Sequence, residues 1–204
     1  MAITNIYNKL ARLFSTLFVP PSLTVIVFFY FAFSLENRIE KSIIVFAIAL
    51  IFGFILPIVL FVYMRRRGKI VDVDATIKEE RTFPFLIAVL FYFGGLLALI
   101  FFNAHIISIA LWFCYISNTL LTALINRHWK ISAHAMGVAG PMAAVSFVNI
   151  NFALVLGFIL LMTGWSRVKL NCHTLFQVLA GALLGTFSTY FQILYILKYF
   201  NYAR

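Results

Sequence analysis

Long uncharged runs divide this chain, and short charged connections separate them. Residues 13–35 and 42–64 contain no Lys, Arg, Asp or Glu, and each run has 23 residues. A helix needs about 20 apolar residues to cross a bilayer, because charged side chains are costly in hydrocarbon. Each of these two runs therefore predicts one membrane-spanning helix.

The third uncharged run, residues 82–126, has 45 residues and predicts two spanning helices. We place the break between them at Asn103–His105, the most polar step in the run. The last run, Leu170–Leu197, predicts one further helix that ends the chain's apolar segments.

Residues 131–166 form an uncharged run of 36, which is long for one span and short for two. It predicts two short helices, Ala135–Val148 and Phe152–Gly164, that turn at Asn149–Asn151. Each would be roughly 21 Å long at about 1.5 Å per residue. We therefore expect this hairpin not to cross a bilayer of about 30 Å fully.

The composition agrees with these predicted spans. The chain is 64% hydrophobic and 11% charged, whereas soluble domains average roughly 45–50% apolar and about 25% charged. A water-soluble globule is excluded on this ground. The prediction is an all-α integral membrane protein with one domain, residues 1–204, built as a polytopic bundle of six or seven helical segments.

The net charge of +10 raises the possibility of a nucleic-acid partner. Such a partner needs a basic patch on a soluble surface, but here the charges stand in short clusters between apolar runs. We therefore expect membrane lipids as partners and no nucleic acid. The two cysteines, Cys114 and Cys172, lie 58 positions apart and are expected to be free thiols. The sequence gives no indication of oligomeric state.

Counting turns puts the N-terminus and three connections, about 65–84, 126–134 and 165–173, on one side of the membrane. That side holds twelve of the sixteen Lys and Arg residues. The positive-inside rule then predicts that this side is cytoplasmic, in an inner or plasma membrane. Most of the polar chemistry of the chain lies in the same three connections, so we expect an active site on this face.

Two of these connections contain spaced histidines. The third reads Ser166-Arg167, five residues, His173, three residues, then Gln177, and the second contains Ile131-Ser132-Ala133-His134. These residues resemble the signatures of the type 2 phosphatidic acid phosphatase superfamily of membrane lipid phosphatases. The family's motifs are KxxxxxxRP, PSGH and SRxxxxxHxxxD in that chain order, and the third is met in spacing at every step.

The first family signature is met poorly in this chain. Arg81 and Pro84 stand as RTFP instead of RP, and the position seven before Arg81 is Asp74 instead of lysine. Lys78 is the nearest candidate for that lysine. The resemblance thus covers the three connections and their order, roughly residues 70–190.

The resemblance implies a lipid phosphatase that hydrolyses a phosphate monoester, of the phosphatidic acid or phosphatidylglycerophosphate type, without metal or cofactor. An isoprenyl diphosphate becomes the more natural substrate if the orientation is reversed. Phosphoryl transfer needs a nucleophile, an acid for the leaving alkoxide and cations on the phosphoryl oxygens. The implied roles are His173 as nucleophile through a phosphohistidine, His134 as acid, Arg167, Arg81 and Lys78 as phosphate ligands, and Ser132 with the backbone N–H of Ala133 as further donors.

Gln177 departs from the family pattern, which has aspartate at this position. Glutamine can accept the Nδ1 proton of His173 but brings no negative charge, so activity is expected to be reduced. We hypothesise that Asp72 or Asp74 partly substitutes for the missing carboxylate. Restoring the acid with Gln177→Asp should then raise turnover.

Several further residues have simple expected roles. His173 is predicted in the first turn of the last helix, where the dipole disfavours a protonated imidazole, and the histidine pair predicts a bell-shaped pH profile. His105 is predicted on the opposite face, with a structural role, while His128 lies on the site face but fits no signature. Gly181 and Gly185 predict close helix packing.

Two alternatives to the enzyme stay open at this point. Gln177 and the eroded first signature would also fit a catalytically inactive membrane protein that binds lipid phosphate. A lipid or solute carrier is the other alternative, because charged loops and a short hairpin occur in transporters. A lipid-to-lipid phosphotransferase would use the same site residues as the phosphatase.

Overall fold

The computed structural model describes residues 2–72, 74 and 77–202, with side chains for 5–72, 74 and 77–200. Within these ranges the chain forms eight helices and no strand. The helices are α1 Ala2–Leu17, α2 Pro20–Leu35, α3 Ile39–Arg66, α4 Thr82–Phe101, α5 Ile106–His128, α6 Ala133–Val145, α7 Ile150–Lys169 and α8 Leu175–Tyr202. A short 3₁₀ turn, Glu79–Arg81, leads directly into α4.

Five of these helices, α3, α4 with its 3₁₀ turn, α5, α7 and α8, are long and apolar enough to cross a membrane. Counting the bent pair of α1 and α2 as one broken span would raise the number to six. The chain is thus an all-α, multi-pass membrane protein, as the sequence predicted. The finer count of six or seven segments stays a prediction.

The first uncharged run was expected to form one helix, and this is wrong. α1 ends at Leu17, α2 begins at Pro20, and the two helices are bent by 58° at the break. Two successive prolines lack N–H groups and disfavour helix in the residue before them, and Val19 is accordingly extended. The sequence rule for spans counts charges and does not register this break.

α1 is amphipathic and packs along α7. Ala11 and Ser15 on its inner face are buried, whereas Leu10, Leu13 and Leu17 are exposed on another face. Lys9 and Arg12 lie on the remaining, polar side. Three such faces are typical of a helix that touches protein, lipid and water at once.

The break between α4 and α5 falls at residues 102–105, where Asn103 adopts a left-handed conformation with φ of 51°. This confirms the predicted break. The α6–α7 hairpin differs from its prediction in one respect. α6 is short, with 13 residues, but α7 has 20 and begins where the Asn149 side chain accepts a hydrogen bond from Phe152 N at 3.0 Å. α7 is therefore long enough to cross a bilayer, contrary to expectation.

The last helix begins at Leu175, five residues later than predicted. α7 ends in a left-handed turn at Asn171, with φ of 54°, and the amides of Cys172 and His173 both donate to the Arg167 carbonyl, at 3.0 and 3.2 Å. His173 therefore lies in the connection before α8, so the predicted placement in its first turn is wrong. Both cysteines are buried and free, as expected.

Two glycines bring α8 against the start of α6. A Cβ on Gly181 would lie 2.4 Å from the Ser132 carbonyl oxygen, and one on Gly185 would lie 2.9 Å from the Met136 carbonyl oxygen. This confirms the predicted close packing. A backbone hydrogen bond from Ser132 N to Gln177 O, 3.1 Å long, joins the two segments further. The second and third connections are therefore held side by side.

The apolar core includes residues of every helix from α2 to α8, and its largest buried rings are those of Phe28, Phe31 and Trp112. A Cβ on Gly95 would lie 2.4 Å from the Trp112 ring. Any side chain at this position would therefore overlap the indole, and glycine leaves room for it. The indole N–H donates to the Tyr92 carbonyl at 2.7 Å. Beside this core, residues Ala49–Ile55 of α3 form a π-helical segment.

Candidate functional site

Charged residues from α1 and from the three predicted connections meet at one end of the bundle. Arg167, in the last turn of α7, is the centre of this cluster and is fully buried. Its Nη1 donates to Ser15 Oγ and to Asp74 Oδ1, both at 2.6 Å. Its Nε and Nη2 are buried without a hydrogen-bond partner. One edge of the guanidinium is thus fixed by the protein, and the other presents two donors.

Asp74 bridges two guanidinium groups. Its Oδ1 accepts from Arg167, and its Oδ2 accepts from Arg12 Nη1 at 2.5 Å. Burial alone would raise the pKa of this carboxyl, but the hydrogen bonds from Arg12 and Arg167 outweigh it and hold the pKa at about 2. Both carboxylate oxygens are thereby used by cations, while the His173 ring is held by Gln177. The hypothesis that Asp74 partly substitutes for the missing charge at Gln177 stays a prediction.

His173 is buried and held by Gln177. Its Nδ1 lies 3.2 Å from Gln177 Oε1, which also accepts the backbone N–H of Thr174 at 3.1 Å. Because that oxygen is an acceptor, the imidazole carries its proton on Nδ1, and the lone pair is on Nε2. His173 Nε2 is buried without a partner. The ring is therefore oriented with an unshared lone pair, the form that a nucleophile requires.

Gln177 has a second role at the start of α8. The Thr174 hydroxyl accepts from Gln177 N at 3.3 Å while Gln177 Oε1 accepts from Thr174 N. This reciprocal pair is a capping box at the start of α8. The same oxygen thus begins the helix and orients His173.

The electrostatic field of the cluster is strongly positive. Burial and then the nearby charges of Arg81, Arg167 and Lys130 together lower the pKa of His173 to about 3. Burial likewise lowers the pKa of Lys130, with Arg81 as the next cause. Cations held together at such cost are typical of a site whose charge is balanced by a bound anion.

His134 lies at the start of the short helix α6 and lines a cavity beside the cluster. Its pKa is lowered well below the ordinary histidine value by burial, and then by the charges of Arg167, His173 and Arg81. The two histidines are therefore close enough to influence each other. Arg81, which is buried at the start of α4, places its Nη2 3.5 Å from the Asp74 carbonyl oxygen.

Ser132 and Ala133 begin α6 beside the cluster. Ser132 is buried, and its Oγ accepts from Ala135 N at 3.3 Å as the helix cap. Its oxygen is thus already used in starting the helix. Ala133 lines the same cavity as His134, and the positive end of the α6 dipole favours a nearby anion.

Lys78 is not brought into the cluster. Its Nζ donates to the Arg127 carbonyl at 3.2 Å and lies 3.8 Å from Glu79 Oε1, so it caps the end of α5. His128 is exposed at the last position of α5. His105 has the structural role expected of it, because its Nδ1 accepts from Ile107 N at 3.3 Å at the start of that helix.

Three residues of the cluster were missed by the sequence reasoning. Arg12 and Ser15 come from α1, which has no motif of its own. Lys130 stands two residues before Ser132, at a position that the family signature does not specify. The amphipathic pattern of α1 indicates a buried face, but it does not indicate that Ser15 on this face contacts Arg167.

A cavity of about 370 Å³ opens from the cluster into the bundle. Arg12, Asp74, Arg81 and His134 line its charged end. Most other lining residues are apolar, and four of the five prolines of the chain are among them: Pro20, Pro21, Pro57 and Pro84. The volume lies in the range of about 300–1,000 Å³ that is typical of small-molecule sites.

Comparison with protein-family models, with curated proteins and with solved structures gives no match to this chain.

Proposed function

We propose that this protein is a membrane phosphatase that removes the phosphate of a lipid phosphate monoester through a phosphohistidine on His173. One observation carries the proposal. Arg167 Nε, Arg167 Nη2 and His173 Nε2 are buried at one site and lack hydrogen-bond partners. Buried polar atoms are rarely left unsatisfied in folded proteins. Two guanidinium donors beside an imidazole lone pair suit a tetrahedral anion whose central atom is attacked.

In the proposed reaction, Nε2 of His173 attacks phosphorus. The P–N bond forms as the bond from phosphorus to the lipid oxygen breaks. His134 takes up the proton that the phosphate monoanion brings and donates it to the leaving alkoxide. Water, deprotonated by His134, then displaces His173 and releases phosphate. The Nε and Nη2 donors of Arg167 hold two phosphoryl oxygens side-on, and Arg81 and Lys130 balance the remaining charge.

The lowered histidine pKa values change the pH profile expected from sequence. Because His134 and His173 are both neutral near pH 7 in the empty site, the proton for the leaving group has to enter with the substrate as a phosphate monoanion. We therefore expect kcat/KM to fall as pH rises above the second pKa of a phosphate monoester, about 6. A bell-shaped profile is no longer expected between pH 5 and 8.

The cavity supports a lipid over a soluble phosphate ester, because an apolar wall adjoins the charged end. We propose phosphatidic acid or phosphatidylglycerophosphate types as substrates. The exposed cations Arg65, Arg66 and Arg67 at the end of α3 lie on the cluster side, so we propose that this side is cytoplasmic, in an inner or plasma membrane.

The test is phosphate release from a panel of lipid phosphates by purified protein. His173→Ala should abolish release, a loss on the order of 10³-fold or more, because no other group supplies the nucleophile. His128→Ala is the matched control, since it removes an exposed histidine from the same side. Equal loss in both variants, or full activity in His173→Ala, would contradict the proposal.

The two alternatives have distinct outcomes in the same experiment. Phosphate binding without release in the wild type would identify a binding protein. Uptake of a lipid or solute into liposomes that survives His173→Ala would identify a carrier. Phosphorus-31 spectroscopy of the reacting wild type adds a direct readout, since the proposed intermediate contains a P–N bond.

A further inference from the structure

A second, deeper cavity adjoins the one at the cluster. It has a volume of about 100 Å³ and lies between α2, α4, α5 and α6. The two cavities adjoin each other, and we call them together the chamber. They share five lining residues: Pro20, Phe85, Ala88, Tyr92 and Ala133. Along α6 the deep part extends from Ala133 to Pro141, roughly 12 Å at about 1.5 Å per residue.

The deep part of the chamber has polar lining residues, although it lies inside the bundle. Thr24 and Asn118 are among its lining residues. The Thr24 hydroxyl donates to the Pro20 carbonyl at 3.2 Å. The Asn118 amide donates to Thr189 Oγ1 at 2.9 Å, and its oxygen accepts from Ser188 at 2.7 Å. The protein itself satisfies these groups.

Tyr115 lines the same deep cavity, and its hydroxyl is buried without a hydrogen-bond partner. The Thr24 hydroxyl lies nearby but forms no hydrogen bond of standard geometry with it. The rings of Phe28, Tyr92 and Trp112, with centroids 5.6–6.3 Å from that of Tyr115, fix its orientation. Buried polar groups are rarely left unsatisfied in folded proteins, so a rigid donor beside a cavity suggests a binding subsite.

We propose that this subsite receives the ester carbonyl of an acyl chain, with the Tyr115 hydroxyl as the donor. The proposal rests on the proposed function in one respect, that the phosphate of the same lipid lies at Arg167. The chamber then divides one substrate into three parts: phosphate at the cluster, ester carbonyl at Tyr115, and hydrocarbon along Pro57, Ile58 and Phe61 of α3.

An ester carbonyl fits this place better than a hydroxyl does. A carbonyl only accepts hydrogen bonds, so a single donor satisfies both partners. A buried hydroxyl would bring a donor of its own and would need an acceptor. The Asn118 oxygen does not serve, because Ser188 and Gln192 already donate to it.

The experiment compares binding of two ligands that differ in one carbonyl, 1-acyl-glycerol 3-phosphate and its 1-O-alkyl ether analogue of equal chain length. Affinities are measured on the His173→Ala protein, so that turnover does not interfere. We expect the acyl ligand to bind about three- to tenfold more tightly, the usual range for one neutral hydrogen bond. Adding Tyr115→Phe should remove this preference.

Tyr190→Phe is the matched control, because Tyr190 lies on α8, stacked on Phe147, and does not line the chamber. It should keep the acyl preference. Equal binding of the two ligands to the His173→Ala protein, which needs no change at Tyr115, would overturn the proposal, as would a preference that survives Tyr115→Phe. A cavity that only holds water would give the first of these results. Absent phosphate release by the wild type would instead refute the phosphatase, with the binding result unaffected.

Discussion

The two ends of the bundle treat buried charge in opposite ways. At the end away from the cluster, Glu36 is 2% exposed, and its carboxylate is satisfied by the His105 amide at 2.7 Å and Lys41 Nζ at 3.0 Å. At the cluster end, Arg167 is buried as fully, yet two of its three nitrogens have no partner. The buried carboxylate of Glu36 is thus satisfied by the protein, whereas the buried guanidinium of Arg167 is satisfied only in part.

This difference teaches how to distinguish a structural charge from a binding charge. Burial of an ion is costly in both places, so burial alone does not indicate function. Glu36 closes a helix connection, and its hydrogen bonds account for it. Arg167 and His173 have polar atoms that form no hydrogen bond within the described chain. These unsatisfied atoms point to a ligand.

The largest expected effect comes from removing the carboxylate at each end. Asp74→Asn and Glu36→Gln should each destabilise the protein by about 3–5 kcal/mol, because each leaves buried cations or donors unpaired. Inorganic phosphate should raise the melting temperature of Asp74→Asn by more than that of the wild type, because it replaces a lost negative charge as well as occupying the site. In Glu36→Gln the rise should equal that of the wild type, since the phosphate site is intact. Thermal unfolding of the three proteins in detergent, with and without phosphate, is the measurement. An equal rise in all three proteins would remove the distinction between the two ends.

The next effect concerns the free edge of Arg167. Arg167→Lys keeps the charge but removes the side-on pair of donors, and each lost hydrogen bond to a charged group is worth roughly 1.5–3 kcal/mol. Phosphate affinity should therefore fall on the order of 100-fold, as measured by calorimetry. Lys41→Arg at the opposite end is the control and should leave the affinity unchanged. An affinity within a factor of three in Arg167→Lys would refute the bidentate contact.

The pH dependence of stability should also differ between exposed and buried histidines. His173 has a pKa of about 3 in the folded protein against an ordinary 6.5, so the unfolded chain binds a proton first as pH falls below 6.5. Stability is then lost on acidification, by about 2 kcal/mol between pH 7 and 5. His173→Gln should reduce this loss in melting scans, and His128→Ala should not. An identical pH dependence in all three proteins would contradict the burial argument.

The smallest expected effect is a gain. Gln177→Glu keeps the length needed for the capping box and adds the negative charge that would stabilise a charged His173 ring, so turnover should rise by roughly tenfold. Gln177→Asp, suggested by the sequence, restores the family residue but is shorter than the capping box requires. Turnover of both is measured with the same lipid phosphate. An unchanged or lower turnover in Gln177→Glu would contradict the stabilising role of a negative charge at this position.

The sequence predicted the fold class, the break between α4 and α5 and the meeting of three connections, because uncharged length and motif spacing are local properties. It predicted His173, His134 and Arg167 from spacing and did not find Arg12 and Ser15. Their roles depend on α1 folding back over the connection, which no periodicity contains. Lys78 was predicted as a phosphate ligand from its position in the sequence relative to Arg81. In the structure its Nζ instead contacts the Arg127 carbonyl and the Glu79 carboxylate, outside the cluster.

The π-helical segment Ala49–Ile55 has a consequence for the chamber wall. One wide turn inserts an additional residue, and Leu56 N donates to Ile51 O five positions back. A residue inserted in a helix rotates everything after it by about 100°. Gly53 therefore faces Thr24 and Trp112, while Pro57 and Phe61 line the chamber. Deleting one residue here would shorten α3 very little but would rotate the part that follows, Leu56–Arg66, about the helix axis. Pro57 and Phe61 would then turn away from the chamber.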